Sequence, residues 1–310
     1  MGKAFSFNRL KSGLVGWGFI LIPVILVGVF IFYPMFRAFQ LSLQTGIGRR
    51  NLVYIDPWYG NYARLIQDST FWTALQNNFF YLIIQVPIMI VLAMTFAVLL
   101  NKKDLRFRGF FRTCIFLPAI TSLMAYSTVF RYMFDTTNGI LNNIMLDLGL
   151  ISTPIGWLTD PSLARITIII AITWRWTGYN MIFYLSSLQN VDEGIYEAAR
   201  IDGANSVQSF FKITVPMLKP IILFTSVMST IGTLQLFDEV MQIPSTPGGP
   251  GNATTTLAQY IFNISFLWQP DFGYAASISF VMLAIILALS AIQFWVTRDR
   301  DRLKKSQGRH

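Results

Sequence analysis

The stretch FFYLIIQVPIMIVLAMTFAVLL, residues 79–100, carries no charged side chain over 22 positions. A helix needs about 20 consecutive apolar residues to cross the hydrocarbon core of a bilayer. The run also lacks the alternation of apolar and polar residues that a strand of a membrane barrel requires. These residues therefore predict a transmembrane helix, in which Pro87 is tolerated because neighbouring helices can satisfy the freed backbone groups.

The rest of the chain repeats this pattern. Five further apolar runs are found, and the only charge inside any of them is Arg175 in the run 166–188; the other four runs are 17–36, 113–130, 220–237 and 272–297. Hydrophobic residues make up 54% and charged residues 13% of the 310 positions, whereas a soluble domain carries roughly 25% charge. We therefore predict an all-α polytopic membrane protein with six transmembrane helices.

The positive charge is sorted between the two sides of the membrane. Of the 24 lysine and arginine residues, 17 fall in the N-terminus, the second and fourth connections and the C-terminal tail, and 6 in the other three connections. The positive-inside rule then places both termini in the cytoplasm. The same clusters argue against a nucleic-acid interface, because juxtamembrane basic residues normally set topology and contact anionic lipid. The first run is too long for a signal peptide and is interpreted as an uncleaved anchor.

Two residue counts exclude whole classes of chemistry. The single cysteine, Cys114, rules out a disulfide framework and cysteine-built metal sites. The single histidine, His310, stands at the extreme C-terminus of the sequence, so we expect no catalysis by a buried histidine. We expect no metal site and no catalytic residues.

The inner connection between the fourth and fifth predicted helices is long enough to have structure of its own. Asp192 is a good N-cap for a first helix, and Gly203 stands where a left-handed residue ends it. Asn205 or Ser206 can cap a second helix that ends near Pro216. Residues 190–216 therefore predict a helical hairpin. It could lie under its own bundle, although the small side chains of Ala198 and Ala199 favour close approach by another protein.

This hairpin carries a family resemblance. Glu197-Ala198-Ala199, followed by Gly203 and then by Ile213 and Val215-Pro216, resembles the EAA loop of bacterial binding-protein-dependent ABC transporter permeases, with valine in place of the usual leucine before the proline. Other stretches are similar to the sugar-uptake branch, in the subunit type of the larger maltose permease; they are Tyr33-Pro34, Trp157 to Pro161, Tyr196 to Ala204, Gln235 to Asp238, Pro247 to Pro250 and Gly273 to Ala276. The resemblance covers nearly the whole chain.

The resemblance implies the ABC importer type I permease core in a bacterial cytoplasmic membrane. It implies a second homologous permease subunit, two ATPase subunits that bind ATP and magnesium, and an extracytoplasmic solute-binding protein. The chain itself has no glycine-rich loop to cradle phosphates, so we expect no ATP hydrolysis and no cofactor on it. The hairpin would transmit ATPase closure to the adjacent helices through the residues that match the motif: Tyr196, Glu197, Ala198, Ala199, Asp202 and Gly203.

Three domains are expected on this basis. Residues 1–76 would form a cytoplasmic N-terminus, the first helix and an outer connection. Residues 77–297 would form a core of five helices that includes the hairpin, and residues 298–310 a basic cytoplasmic tail.

Polar side chains inside membrane helices are costly and usually face a cavity. The family's contact positions correspond here to Tyr179, Gln235 and Asp238, with Leu234 as an apolar contact. Aromatic faces beside amide and carboxylate groups suit a sugar, whose hydroxyls need hydrogen-bond partners. Arg175 could contact substrate or could pair with Asp238 or Glu239 across the bundle. The two adjacent acidic residues lie about 100° apart on a helix, so one of them should be structural.

Other transport functions stay open at this point. Arg175 allows a phosphorylated substrate such as a glycerol phosphate, and the acidic pair allows another small solute that is cationic. An ion-coupled secondary transporter would need inverted repeats of broken helices, which the sequence does not show. A membrane-embedded enzyme is the other alternative. The predicted helices contain neither a histidine nor a group of metal ligands, so such an enzyme would have few catalytic groups.

Overall fold

The computed structural model describes residues 7–48, 52–102 and 104–307, with side chains between Trp17 and Thr297. Residues 1–6 and 308–310 lie outside the described residues. They include Lys3 and Arg309, two of the basic residues on which the charge asymmetry rests. The fold is helical, as predicted, with one two-stranded sheet. Its helices are α1 Phe7–Val27, α2 Tyr33–Ser42, α3 Gly60–Gln67, α4 Ser69–Asn101, α5 Arg108–Ile120, α6 Leu123–Met133, α7 Ile140–Asp147, α8 Pro161–Leu188, α9 Glu193–Ile201, α10 Ser206–Ser209, α11 Val215–Met217, α12 Lys219–Leu234, α13 Asp238–Gln242, α14 Leu257–Phe262 and α15 Phe272–Gln307.

The long helices begin at side chains that satisfy their first free backbone N–H groups. Asp68 caps α4 by accepting from the N–H groups of the second and third residues of the helix at 2.8 and 3.3 Å. Asp160 caps α8 in the same way at 2.9 Å, and Pro161 follows as the first helical residue. Both are standard helix starts, because an aspartate accepts these bonds and proline has no N–H to lose there.

The chain divides into two compact units. The first contains the residues up to Gln67 and Asn263–Phe280. In it, α1 and α2 run on through a π-helical segment, Gly28–Phe32, and are followed by the antiparallel strands Gln44–Thr45 and Val53–Tyr54. The Asn61 amide donates to the carbonyls of Ser42 and Gln44, each at 2.9 Å. Arg64 pairs with Asp271 at 2.7 Å, which ties α3 to the start of α15.

The second unit contains Asp68–Phe262 and the chain from Val281 onward. Its core is the packing of α4 on α8, where small residues of α4 let the two helices approach. The buried residues that form this core are Ala93, Met94, Ala97, Leu100, Met181, Tyr184, Leu185, Leu188 and Leu218. Gly178 of α8 lies against the backbone of Ile115 in α5, so close that a Cβ atom there would be 2.0 Å from the Ile115 carbonyl oxygen.

All six predicted segments are mainly helical, but they are not equally apolar. Within the described residues, four helical stretches are long and apolar enough to cross a membrane: Trp17–Ser42, Ser69–Asn101, Lys219–Gln242 and Phe272–Thr297. A bent pair of helices would make a fifth. The helix α8 has 28 residues but contains Arg165, Arg175 and a polar second half. The fold class is confirmed, whereas the count of six crossings stays a prediction, as do the three domain boundaries.

The third predicted span is not one continuous helix, so that expectation was wrong. It consists of α5 and α6, which are bent by 98° at Thr121 and Ser122. Pro118 lies three residues before the bend and cannot donate a backbone hydrogen bond. The Ser122 hydroxyl accepts from the N–H of Ala125 at 3.2 Å and caps the new helix. The bend is therefore stabilised by local capping.

The fifth predicted span also contains a break. Helix α12 ends at Leu234, and three non-helical residues separate it from the short helix α13. Phe237 has φ −136° and ψ −60°, which turns the chain before Asp238. The break lies among the residues that the sequence singled out for substrate contact.

Candidate functional site

The predicted hairpin is present and its first helix has the predicted caps. The Asp192 carboxylate accepts from the N–H of Gly194 at 2.9 Å and starts α9. Gly203 has φ +81°, its N–H donates to the Arg200 carbonyl at 3.1 Å, and the next N–H donates to the Ala199 carbonyl at 2.9 Å. This pair of bonds is the Schellman arrangement, which needs a left-handed residue and therefore favours glycine.

The second arm of the hairpin is held by an asparagine cap. Asn205 and Gln208 form a reciprocal capping box, with bonds of 2.8 and 3.0 Å. The arm continues through a π-helical segment, Phe210–Thr214, to Met217. The arm thus ends at Met217, near the predicted end at Pro216, which occupies the first turn of α11, where no N–H is required. The Tyr196 hydroxyl and the Thr214 hydroxyl are 3.0 Å apart and join the two arms.

The outer face of the hairpin is exposed. Glu197, Ala198 and Gly203 are exposed in this chain, and Ala199 is half-buried. Large apolar side chains accompany them, with 85% of Ile201, 64% of Val207 and 64% of Phe211 exposed. Apolar residues on so short an element, at such exposure, are typical of a surface that another protein covers.

In α8, Tyr179 belongs to a row of aromatic rings. Its ring centroid lies 5.6 Å from that of Trp176 and 5.1 Å from that of Phe183, which in turn is 5.7 Å from Phe224 of α12. About 40% of Tyr179 is exposed. The predicted contact residue therefore presents an accessible aromatic face, in contact with α12 through Phe183.

Arg175 does not form the ion pair that the sequence left open. Within the described part of the chain, neither Asp238 nor Glu239 is an ion-pair partner of Arg175. Its guanidinium lies 5.0 Å from the ring centroid of Tyr126 and 5.7 Å from that of Trp176, and one terminal nitrogen is buried with no hydrogen-bond partner among the described residues. Two aromatic faces contact this cation, and the Glu239 carboxylate, which is not within ion-pair distance, interacts with it electrostatically.

The residues at the break in the fifth helix differ in exposure. Gln235 is exposed and Asp238 half-buried, whereas Glu239 is 4% exposed and Leu234 completely buried. The two adjacent acidic residues therefore differ in burial, and the assignment of a structural role to one of them stays a prediction. Leu234 offers no accessible surface in this chain, because it packs inward at the end of α12.

Helix α13 packs on α6 and α8, so the structure brings Asp238 and Glu239 to the same region as Arg175. It shows no contact between Gln235 and Tyr179. Tyr126 was missed from the sequence, although it is 2% exposed and stacks near Trp174 with ring centroids 6.3 Å apart. No local signal marked it, because Tyr126 lies in the first turn of a helix whose start at Ser122 the apolar run does not show.

Comparison with known proteins places these features in a family. Residues 60–302 match the family described as binding-protein-dependent transport system inner membrane component. The chain is 52% identical over 285 residues to the lactose transport system permease protein LacF of Rhizobium radiobacter, covering 92% of this chain and 94% of that protein. It is 37% identical over 284 residues to the arabinooligosaccharides transport system permease protein AraP of Halalkalibacterium halodurans, covering 89% and 87%.

A solved structure has the same fold. It is the crystal structure of a bacterial alginate ABC transporter in complex with an alginate pentasaccharide-bound periplasmic protein; one of its chains superposes with a TM-score of 0.79 at 20% identity, covering 95% of this chain and 97% of that chain. The predicted type I permease fold is thereby confirmed. In systems of this family the ATPase is a separate subunit, in agreement with the prediction that this chain is not an enzyme. A helical membrane fold with an exposed EAA hairpin and a family match over residues 60–302 leads to one assignment: the chain belongs to the binding-protein-dependent transport system inner membrane components.

Proposed function

We propose that this chain is the membrane-spanning permease subunit of an ATP-driven importer of a sugar or oligosaccharide. The observation that carries the proposal is the 52% identity to a lactose permease along 94% of that protein's length. The site is chemically suitable, because the aromatic row through Tyr179 can face the C–H groups of a sugar while Gln235 and Asp238 supply hydrogen-bond partners. A phosphorylated substrate such as a glycerol phosphate is the second candidate, supported by the buried guanidinium nitrogen of Arg175 that has no hydrogen-bond partner among the described residues.

The proposed assembly has four kinds of partner: a second homologous permease, two ATPase subunits holding ATP and magnesium, an extracytoplasmic solute-binding protein, and membrane lipid. The ATPase surface would receive the hairpin, on which Glu197 and Ala198 are exposed beside Ile201. The first helix, Trp17–Ser42, has no buried residue in its apolar window. It therefore offers its whole circumference to lipid and to the second permease.

Both termini are proposed to lie in the cytoplasm, from the distribution of lysine and arginine. Alkaline phosphatase is active only outside the cytoplasm, so a fusion after Asn252 should be active and one after Arg309 inactive. The reverse pattern would show that the orientation is wrong.

The substrate contacts are tested by replacing Gln235 and Asp238 separately with alanine. Each change removes a hydrogen-bond partner of a sugar hydroxyl, so we expect weaker apparent affinity for the sugar, by about 1 to 3 kcal/mol. The amount of assembled complex should stay near normal even for Asp238→Ala, because Asp238 forms no ion pair with Arg175. The measurement is the sugar concentration for half-maximal uptake, together with the yield of purified complex.

Gln67→Ala provides the control, since Gln67 is an exposed amide at the end of α3, outside the proposed site. It should change neither quantity. Normal affinity in both site variants would rule out the proposed contacts. A loss of complex with Asp238→Ala that is restored by a second change of Arg175 to glutamine would instead indicate a structural ion pair.

A further inference from the structure

The break that contains Gln235 leaves backbone carbonyl groups at the end of α12 that need hydrogen-bond partners. Helix α12 ends at Leu234, and the last carbonyl groups of a helix have no partners within it. Inside a membrane there is no bulk water to satisfy them, so other protein groups must do so. The groups that bind these carbonyls therefore determine how the chain turns and where the Gln235 side chain points.

Asn78 of α4 binds the end of α12 directly. Its Nδ2 atom donates to the carbonyls of Thr233 at 3.1 Å and Leu234 at 3.0 Å, and its Oδ1 atom accepts from the N–H of Leu257 at 2.8 Å. The side chain is completely buried. Since a side-chain amide has two N–H donors, Asn78 uses both on the break and joins three helices.

Thr256 binds the break from its other side. The Thr256 hydroxyl donates to the Leu236 carbonyl at 2.5 Å, and this side chain is also completely buried. The peptide carbonyls before and after Gln235 are therefore both held by side chains, while the Gln235 side chain itself is exposed.

We infer that Asn78 and Thr256 are positioning residues of the sugar site, which act by fixing the backbone on either side of Gln235. Neither contacts the sugar, because both are buried. The inference rests on the proposed function for the role of Gln235 as a contact. The geometry of the break can be measured without any sugar, so the two can fail separately.

Each positioning residue has a matched control next to it. Asn78→Asp replaces the donating nitrogen by oxygen at nearly constant shape. Asn77→Asp makes the same change where the amide donates only to the outer-turn carbonyls of Asn252 and Thr255. Thr256→Val removes the hydroxyl that binds Leu236, whereas Thr254→Val removes a buried hydroxyl with no hydrogen-bond partner among the described residues.

The first measurement is independent of substrate. The variant complex has Cys114 replaced by serine and Gln235 replaced by cysteine. The rate at which a water-soluble maleimide modifies this cysteine measures how accessible the side chain at position 235 is to water. We expect Asn78→Asp and Thr256→Val to change this rate by roughly three- to tenfold, the factor that corresponds to losing about one hydrogen bond. Asn77→Asp and Thr254→Val should leave it within twofold.

The second measurement is uptake of labelled lactose into proteoliposomes that contain the complex, with native Gln235. We expect Asn78→Asp and Thr256→Val to raise the half-saturating lactose concentration by roughly three- to tenfold. A purely structural role would lower the yield of complex and leave this concentration unchanged. Maximal uptake per assembled complex should change less than the half-saturating concentration.

The outcomes separate the two ideas. Unchanged labelling in Thr256→Val and Asn78→Asp overturns the inference, whatever the sugar. If the Asn78→Asp complex does not assemble, the inference is tested by comparing the labelling rate of Thr256→Val with that of Thr254→Val. If labelling changes but Gln235→Ala has normal lactose affinity, the anchoring of the break is supported. In that case Gln235 is refuted as a sugar contact, which is a failure of that part of the proposed function.

Discussion

Replacing Gly203 by valine is expected to abolish most ATP-driven uptake while the chain still inserts into the membrane. Gly203 has φ +81°, and apart from the glycine and its two chain neighbours no heavy atom lies within 4 Å of the position that a Cβ atom would take, so the cost is one of backbone conformation. A left-handed residue with a side chain costs about 1–2 kcal/mol, more when it is β-branched. Relief of that strain would break the two bonds that end α9 and would tilt the exposed face of the hairpin away from the ATPase.

Gly203→Asn is the matched control, because asparagine tolerates the left-handed conformation far better than valine does. Binding-protein-stimulated ATP hydrolysis and uptake, each normalised to assembled complex, are the quantities to compare. We expect them to be close to native in the asparagine variant and strongly reduced in the valine variant. Equal and normal rates in both variants would remove the hairpin from the coupling mechanism.

Replacing Gly178 by alanine is expected to cause a comparably large loss, here in the amount of folded protein. The added Cβ atom would lie 2.0 Å from the Ile115 carbonyl oxygen, a backbone atom that cannot move alone, so α5 and α8 must separate. Overpacking of this kind costs about 1–3 kcal/mol, and more when backbones clash. The neighbouring aromatic residue Tyr179 would shift with α8.

The control is Gly232→Ala in α12, where a Cβ atom would meet nothing within 4 Å. That change should be neutral or slightly stabilising, because alanine favours a helix by about 1 kcal/mol over glycine. The measurement is the thermal unfolding temperature of the detergent-solubilised complex, compared between the Gly178→Ala and Gly232→Ala variants. A Gly178→Ala complex as stable as the Gly232→Ala complex would show that α5 and α8 are not closely packed there.

The hairpin was predictable in detail because its signals are local. A capping aspartate, a left-handed glycine and a capping asparagine each act on backbone groups within four residues of themselves. The sequence therefore located Asp192, Gly203 and Asn205 correctly. It also predicted that the second arm ends near Pro216, and the arm ends one residue later, at Met217.

The two breaks in the membrane helices were not predicted because hydropathy averages over about 20 residues. Thr121 and Ser122 are neutral, so the run 113–130 looks continuous, although the hydroxyl of Ser122 starts a new helix. The break after Leu234 depends on Asn78, which lies 156 residues earlier in the chain. No local pattern contains that contact.

The polar residues of the candidate site were proposed from their place in apolar runs and from the family resemblance, but their contacts within the fold were not predicted. An arginine in an apolar run indicated a functional position, and the sequence offered an acidic partner for it. The structure surrounds Arg175 with the rings of Tyr126 and Trp176 instead. The cation–π contacts come from α6, whose position follows from the unpredicted bend, and from an adjacent residue of α8.

The central claim, a permease subunit that borrows ATP hydrolysis from other chains, is tested most directly by purifying the tagged full-length chain from its native membrane and identifying everything that accompanies it. The account predicts a complex with a second homologous permease and two copies of an ATPase subunit, which hydrolyses ATP faster when a sugar-loaded binding protein is added. A chain that purifies without any ATPase and accumulates solute in proteoliposomes on an ion gradient alone would contradict it.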